Sequence, residues 1–120
     1  MGTPQEKDGT ARARELAALP HAGQLSARDS ESALLARCTS AARDGAQSAQ
    51  NPREANVFRL ASMLVRPQFP AESACLMQAS ERYFAFHPND RLDSAEVVRK
   101  GWVLSLPRLR DLLTRQLCRH

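Results

Sequence analysis

The chain has 120 residues, of which 42% are hydrophobic and only 5% are aromatic, and its formal net charge is +4. A chain of this length fits a single hydrophobic core, and a composition poor in aromatic residues and rich in alanine favours an all-α protein. No run of the sequence approaches the ~18 to 20 apolar residues of a membrane-spanning helix, which excludes a membrane-spanning protein. The polar N-terminus lacks the apolar region of a secretory signal. We therefore expect a cytoplasmic protein.

The positive charge is concentrated near the C-terminus. Residues 1–90 carry ten basic and ten acidic side chains, whereas residues 91–120 carry seven basic and three acidic ones. An excess of positive charge in one segment is typical of surfaces that attract an anionic partner. This asymmetry leaves nucleic acid open as a partner.

The N-terminal part of the chain has weak helical patterning. A short helix is predicted over 11–19, where Pro20 ends it, and a second helix runs from Asp29 or Ser30 to about Arg43. Isolated helices of fewer than ~12 residues rarely hold in water, and the apolar stripe of the second helix consists largely of alanine. We therefore expect a weaker N-terminal helix pair.

Stronger signals follow from residue 51 onwards. Asn51 offers an N-cap side chain, Pro52 suits the first helical position, and Glu54 can reach back to the cap. Pro67 and Pro70 then form a corner between two helices, which predicts an antiparallel helical hairpin. The four main helices of a small helical bundle are expected at about 52–66, 71–86, 94–104 and 106–118. The predicted regions of the chain are a flexible tail (1–10), a weakly ordered helical region (11–50) and a helical-bundle core (51–120).

The third and fourth main helices begin at clear caps, Asp93 and Ser105, but the third has two alternative ends. If Gly101 takes the left-handed conformation, the helix stops before it and residues 102–104 form an apolar connector. Otherwise the helix continues past the glycine, and Val103 then projects from its charged side. The continuous helix makes Val103 a candidate contact for a partner.

The last helix has an apolar stripe and a basic stripe. Leucines repeat along one face, and Leu112 widens that face beyond what one neighbouring helix covers, which makes Leu112 a second candidate contact. Arg108, Arg115 and Arg119 follow the spacing i, i+7 and i+11 on another side of the helix. These three arginines are the candidate basic surface.

No catalytic, cofactor-binding or metal site is predicted. The three histidines have no nucleophile or base at a recognisable spacing, and the five glycines are too dispersed to form a phosphate-binding loop. The three cysteines, Cys38, Cys75 and Cys118, include no Cys-x-x-Cys pair and are expected to be reduced, buried thiols. The sequence thus predicts a protein that is not an enzyme and needs no cofactor.

Binding to another protein is the favoured function. The strongly patterned part, 51–118, has only 68 residues, and a core of that size rarely supplies more than ~3 to 5 kcal/mol of stability. A partner protein or a second copy of the chain would add to this stability through Val103 and Leu112. We therefore expect a protein-binding helical module, in the role of an adaptor, a chaperone-like protein or a regulatory subunit, with self-association included.

The alternative is a small basic DNA-binding or transcriptional regulatory protein that uses the last two helices. Arginine pairs with guanine edges and phosphates, and Arg108, Arg115 and Arg119 would supply these contacts. Two features count against this alternative. Asp111 lies beside the basic stripe, and the apolar residues 102–104 lengthen a turn that usually has about three to four residues.

Overall fold

The computed structural model describes residues 27–119, and within that range every regular element is helical. The helices are α1 (Ala27–Arg43), α2 (Pro52–Val65), α3 (Pro70–Phe84), α4 (Ser94–Arg99) and α5 (Leu106–Cys118), with a 3₁₀ turn at Pro88–Asp90. The predicted all-α class is confirmed. In the same range no helix combines the length and the apolarity needed to cross a bilayer. The predicted tail (1–10) and the predicted helix over 11–19 lie outside the described residues.

The chain divides into two units, residues 1–32 and residues 33–120. Of the first unit, the structure describes residues 27–32, which are helical and open α1. The second unit contains the buried apolar core, to which α1, α2, α3, α4 and α5 all contribute side chains. The largest fully buried side chains include Phe58, Leu60, Leu76 and Leu113.

The core extends further towards the N-terminus than the expected boundary at residue 51. Leu34 and Cys38 of α1 belong to the same buried cluster as the side chains of α2 and α3. The hydrophobic pattern of α1 is weak because its apolar stripe has few large side chains. A polar contact to α2, which such a pattern does not show, also holds α1 in place. The Arg37 guanidinium donates to the Glu54 carboxylate from Nε at 2.9 Å and from Nη2 at 3.0 Å.

The central helix is α2, and α3, α4 and α5 all pack against it. Near the corner, Ser62 and Ser73 are both buried, and each hydroxyl donates to the other residue's carbonyl oxygen at 2.7 Å. At the far end of the same pair of helices, the Ser80 hydroxyl donates to the Ala55 carbonyl oxygen at 2.8 Å. These contacts confirm the predicted antiparallel hairpin, and the small side chains between α2 and α3 allow the two helices to pack closely.

The segment between α3 and α4 is fastened to α2 by Asn56, whose side chain is fully buried. The Asn56 amide donates to the carbonyl oxygens of Pro52 (2.8 Å) and Asp90 (3.0 Å), and its own oxygen accepts from the Leu92 N–H at 2.8 Å. One turn further along α2, Arg59 donates to the Leu92 carbonyl oxygen. Because an unpaired buried polar group is costly, these bonds hold the connecting segment against α2.

Gly101 ends α4. Its φ angle is +76°, its N–H donates to the Val98 carbonyl oxygen at 2.9 Å, and the Trp102 N–H donates to the Val97 carbonyl oxygen at 3.3 Å. This is the Schellman arrangement, in which a left-handed glycine follows the last helical turn. The predicted extent of 94–104 for this helix is therefore wrong, because the left-handed Gly101 ends it, and the alternative end with residues 102–104 as a connector is confirmed. As a result Val103 leaves the helical register, and its side chain is only 7% exposed.

Candidate functional site

The two partner contacts predicted from the sequence do not share an exposed surface. Val103 was expected on the charged side of a continuous helix, but Gly101 ends that helix and Val103 belongs to the buried core. Leu112 is half-buried on α5, next to the fully buried Leu113. Val103 is thus not available to a partner, and Leu112 offers only part of its side chain.

The three predicted basic residues are all exposed, but only two of them lie on α5. Arg108 and Arg115 belong to the helix, whereas Arg119 follows its last residue in an extended conformation. The Arg119 carbonyl oxygen accepts from Nη2 of Arg43 at 2.8 Å, and the same nitrogen donates to the Gln116 carbonyl oxygen at 2.7 Å. These bonds satisfy carbonyl groups that the end of a helix leaves open.

The arrangement of α4 and α5 differs from a tight helix-turn-helix. The two helices are separated by residues 100–105, which is longer than the about three to four residues that such a turn uses. On the exposed side of α5, Asp111 pairs with Arg110 at 3.4 Å. An acidic side chain beside the basic residues weakens their attraction to phosphate. This geometry gives little support to the recognition of duplex DNA.

Side chains that could carry redox or metal chemistry are not clustered within residues 27–119. Cys38 is fully buried, and this burial, together with the negative charge of Glu54, raises the pKa of its thiol to about 12. Such a thiol is protonated at neutral pH and packs as an apolar side chain. Burial of all three thiols is wrong as a prediction, because Cys75 is half-buried and Cys118 is exposed at the end of α5. In the same range, no group of three His, Cys, Asp or Glu side chains could hold a metal ion.

A groove with a volume of about 420 Å³ runs along the hairpin of α2 and α3, and we call it the α2–α3 groove. Its walls include Met63 of α2, Arg66 directly after α2, and Pro70, Ala74 and Met77 of α3. Ser62 and Ser73 form its floor, where their hydroxyls already bond to the opposite helix. Because these hydroxyls are satisfied and both side chains are small, the floor leaves room for a side chain from a partner.

The helical registers of α2 and α3 produce this groove. In α2, Leu60 and Val65 are buried in the core, which leaves Met63 at the edge of the hairpin with 49% of its surface exposed. In α3, Leu76 is fully buried, and Met77 follows it on the side towards the groove. Each helix therefore supplies one methionine to the walls.

The sequence reasoning missed the α2–α3 groove because its two walls come from different helices. The available signal was Met63 and Met77, which lie outside the core stripes, together with the small residues Ser62, Ser73 and Ala74. Methionine is flexible and polarizable, and it is common at binding surfaces that adapt to their partners. A pair of methionines next to small side chains thus carries a weak signal for a binding groove.

Two arginines flank Met63 along the chain, and Arg66 is the one that lines the groove. Arg59 lies one turn before Met63 on α2, and Arg66, one turn after Met63, is the residue that directly follows α2. Burial lowers the pKa of the Arg59 guanidinium, and the charge of Arg91 lowers it further, but arginine stays protonated in proteins. Further along α3, Glu81 is paired with Arg91, which donates to its two carboxylate oxygens at 3.1 and 3.2 Å. Glu81 is thus bound to a residue outside the lining of the groove, in which Arg66 is the charged residue.

Other exposed apolar side chains lie outside the groove. Phe86 and Leu104 are 84% and 62% exposed, and neither lines the α2–α3 groove. Single exposed apolar residues are common on protein surfaces. Met63 differs from them because it borders a recess that another side chain can enter.

No protein-family model, curated protein or solved structure matches the chain.

Proposed function

We propose that this chain is a protein-binding helical module and that the α2–α3 groove receives an amphipathic helix of a partner protein. The observation that carries the proposal is Met63, which is 49% exposed beside a recess of about 420 Å³. Amphipathic helices dock into such grooves through apolar residues spaced at helical intervals, and methionine adapts to the shape of the inserted side chain. An adaptor, a chaperone-like protein or a regulatory subunit would use such a groove.

The lining of the groove suits a protein partner better than a nucleic acid. Met63 and Met77 stand on opposite walls, so an apolar side chain that enters between them would contact both helices. Arg66 is the charged residue that lines the groove, whereas binding to a phosphate backbone depends on several cations that each release counterions. A mostly apolar recess with one charge at its end favours a helix with an apolar face.

The test uses a panel of designed helical peptides that share one leucine face and carry an acidic, a neutral or a basic opposite face. The full chain is labelled at its methionine methyl groups, and the NMR resonances of Met63 and Met77 report binding. We expect at least one peptide to shift both resonances. Met63→Lys should then lower the affinity for that peptide by about tenfold or more, because it places a charge in an apolar contact.

Leu104→Lys is the matched control, since it replaces another exposed apolar side chain that lies outside the groove. It should change the affinity by less than about twofold, as expected for a residue that makes no contact. The proposal fails if no peptide shifts either methionine at a concentration of about 1 mM, the range of very weak binding. It also fails if Met63→Lys and Leu104→Lys weaken binding equally.

A further inference from the structure

We infer that the partner helix carries acidic side chains opposite Arg66, an inference that rests on the proposed function of the α2–α3 groove. Arg66 lines the groove where α2 ends, and its side chain is exposed. Among residues 27–119 it has no ion-pair or hydrogen-bond partner. An exposed guanidinium at the end of an apolar groove is available to a carboxylate of the bound helix.

The acidic residues of α3 do not supply a carboxylate partner for Arg66. Glu81 of α3 is bound by Arg91 through both carboxylate oxygens. Glu72, in the first turn of α3, is not among the residues that line the groove. The groove therefore presents the positive charge of Arg66 without an acidic neighbour in its lining.

The position of Arg66 relative to Met63 sets the geometry of recognition. Arg66 follows Met63 by three residues and keeps a helical backbone as the C-cap of α2, so the two side chains are neighbours. A partner helix that seats an apolar side chain at Met63 would bring its own residue one turn away opposite Arg66. A carboxylate there would accept two parallel hydrogen bonds from the planar guanidinium, whereas a lysine or an arginine there would be repelled.

The charge of the whole chain acts in the same direction. The formal net charge is +4, and a field of this sign raises the association rate of an acidic partner. Net charge alone does not select a site, because it attracts an acidic peptide to every part of the surface. Arg66 directs the acidic peptide to the groove, because it is the charged residue in the groove lining.

The peptide panel that tests the proposed function also measures charge preference, because its acidic, neutral and basic peptides share the same leucine face. At low salt we expect the acidic peptide to bind the unmodified chain about tenfold more tightly than the basic peptide, with the neutral peptide between them. Arg66→Glu should reverse this order. Arg66→Gln should reduce the order to the small preference that net charge alone produces, while the peptides still shift the resonances of Met63 and Met77.

Arg115→Glu is the matched control, because it makes the same charge change at an exposed position on α5, and it should preserve the order of the panel. Equal affinities across the panel would overturn the inference and leave the proposed function standing, whereas a panel that does not bind would overturn both. Equal effects of Arg115→Glu and Arg66→Glu would assign the preference to net charge and overturn the role of Arg66. A dimer of the chain that Met63→Lys dissociates in sedimentation would make a second copy the occupant and also overturn the inference.

Discussion

Glu54 joins α1, the loop before α2 and α2 itself through one side chain. Its carboxylate accepts two hydrogen bonds from Arg37 and one from the Gln50 N–H at 3.0 Å, and its own N–H donates to Oδ1 of Asn51 at 2.8 Å. Burial by itself would raise the pKa of the Glu54 carboxyl, but the bonds from Arg37 and Gln50 outweigh it and hold the pKa below its usual value. The charged form of Glu54 is therefore the form that stabilises the fold.

Replacement of Glu54 by Gln tests this role. At neutral pH we expect Glu54→Gln to lower the free energy of unfolding by about 1 to 3 kcal/mol, because it removes the charge from a hydrogen-bonded pair. Since the folded pKa is lowered, the contribution of the carboxylate is complete above the unfolded pKa of about 4.3 and is lost as the pH falls through the folded pKa. Denaturant titrations at several pH values should show that the difference in free energy of unfolding between the unmodified chain and Glu54→Gln becomes smaller in acid.

The control for this measurement is Glu72→Gln. The Glu72 side chain has no hydrogen-bond or ion-pair partner among residues 27–119, so its replacement should cost less than about 0.5 kcal/mol. A loss of unfolding free energy in Glu54→Gln that stays constant from neutral to acidic pH would contradict the stabilising role of the Glu54 charge.

At the scale of the helices, the end of α4 depends on the left-handed backbone of Gly101. We expect Gly101→Ala to lower the free energy of unfolding by about 1 kcal/mol, because a side chain at a φ of +76° is strained. No atom lies within 4 Å of the Cβ that the substitution would add, so backbone strain rather than a clash is the cause. Thermal or denaturant unfolding measures the loss.

Gly45→Ala is the matched control for this element. Its added Cβ would lie 3.6 Å from Sγ of Cys75, which is an ordinary contact. Its effect should stay within about 0.5 kcal/mol in either direction. Equal losses at Gly45 and Gly101 would contradict the assignment of Gly101 as the residue that stops α4.

Helix starts could be predicted from the sequence because their signals are local. Asn51, Asp93 and Ser105 each accept a hydrogen bond from the N–H three residues later, as their capping patterns indicate. The end of α4 does not follow from local signals alone, since a continuous helix and a stop at Gly101 both satisfy the local rules. Burial of Val103 accompanies the stop, and burial depends on the tertiary structure rather than on the local pattern.

At the scale of the whole molecule, the features that escaped prediction join residues far apart in the sequence. Arg37 and Glu54 are 17 residues apart, and Ser62 and Ser73 are 11 apart. Hydrophobic periodicity indicates which side of a helix is apolar, but it does not say which other helix that side meets. The docking of α1 and the α2–α3 groove are both consequences of such pairings. The pattern that singles out Leu112 belongs to one helix alone, and such a pattern does not indicate the partial burial of its side chain.

The arginines near the C-terminus provide the test that compares the two binding functions. If the α2–α3 groove is the binding site, combined replacement of Arg108, Arg115 and Arg119 by Ser should change the affinity for the acidic peptide by no more than about threefold, since distant charges act mainly on the association rate. Duplex DNA should bind the unmodified chain only in the non-specific range, with a Kd of about 10⁻⁴ to 10⁻⁶ M at physiological salt. Fluorescence anisotropy with the peptide and with a duplex, each at two salt concentrations, measures both affinities.

The DNA-binding alternative predicts the opposite pattern in the same titrations. Each arginine that contacts a phosphate releases counterions, so each one replaced should reduce the slope of log affinity against log salt by ~0.9. Arg119 lies beyond the end of α5. A reduction of the slope when Arg119 alone is replaced would show that its side chain contacts a phosphate from this extended segment. Met63→Lys would leave duplex affinity unchanged under this alternative, because Met63 lies on α2 and the basic residues lie on or after α5. Tight, salt-dependent duplex binding that the triple arginine variant loses and Met63→Lys retains would contradict the groove as the functional site.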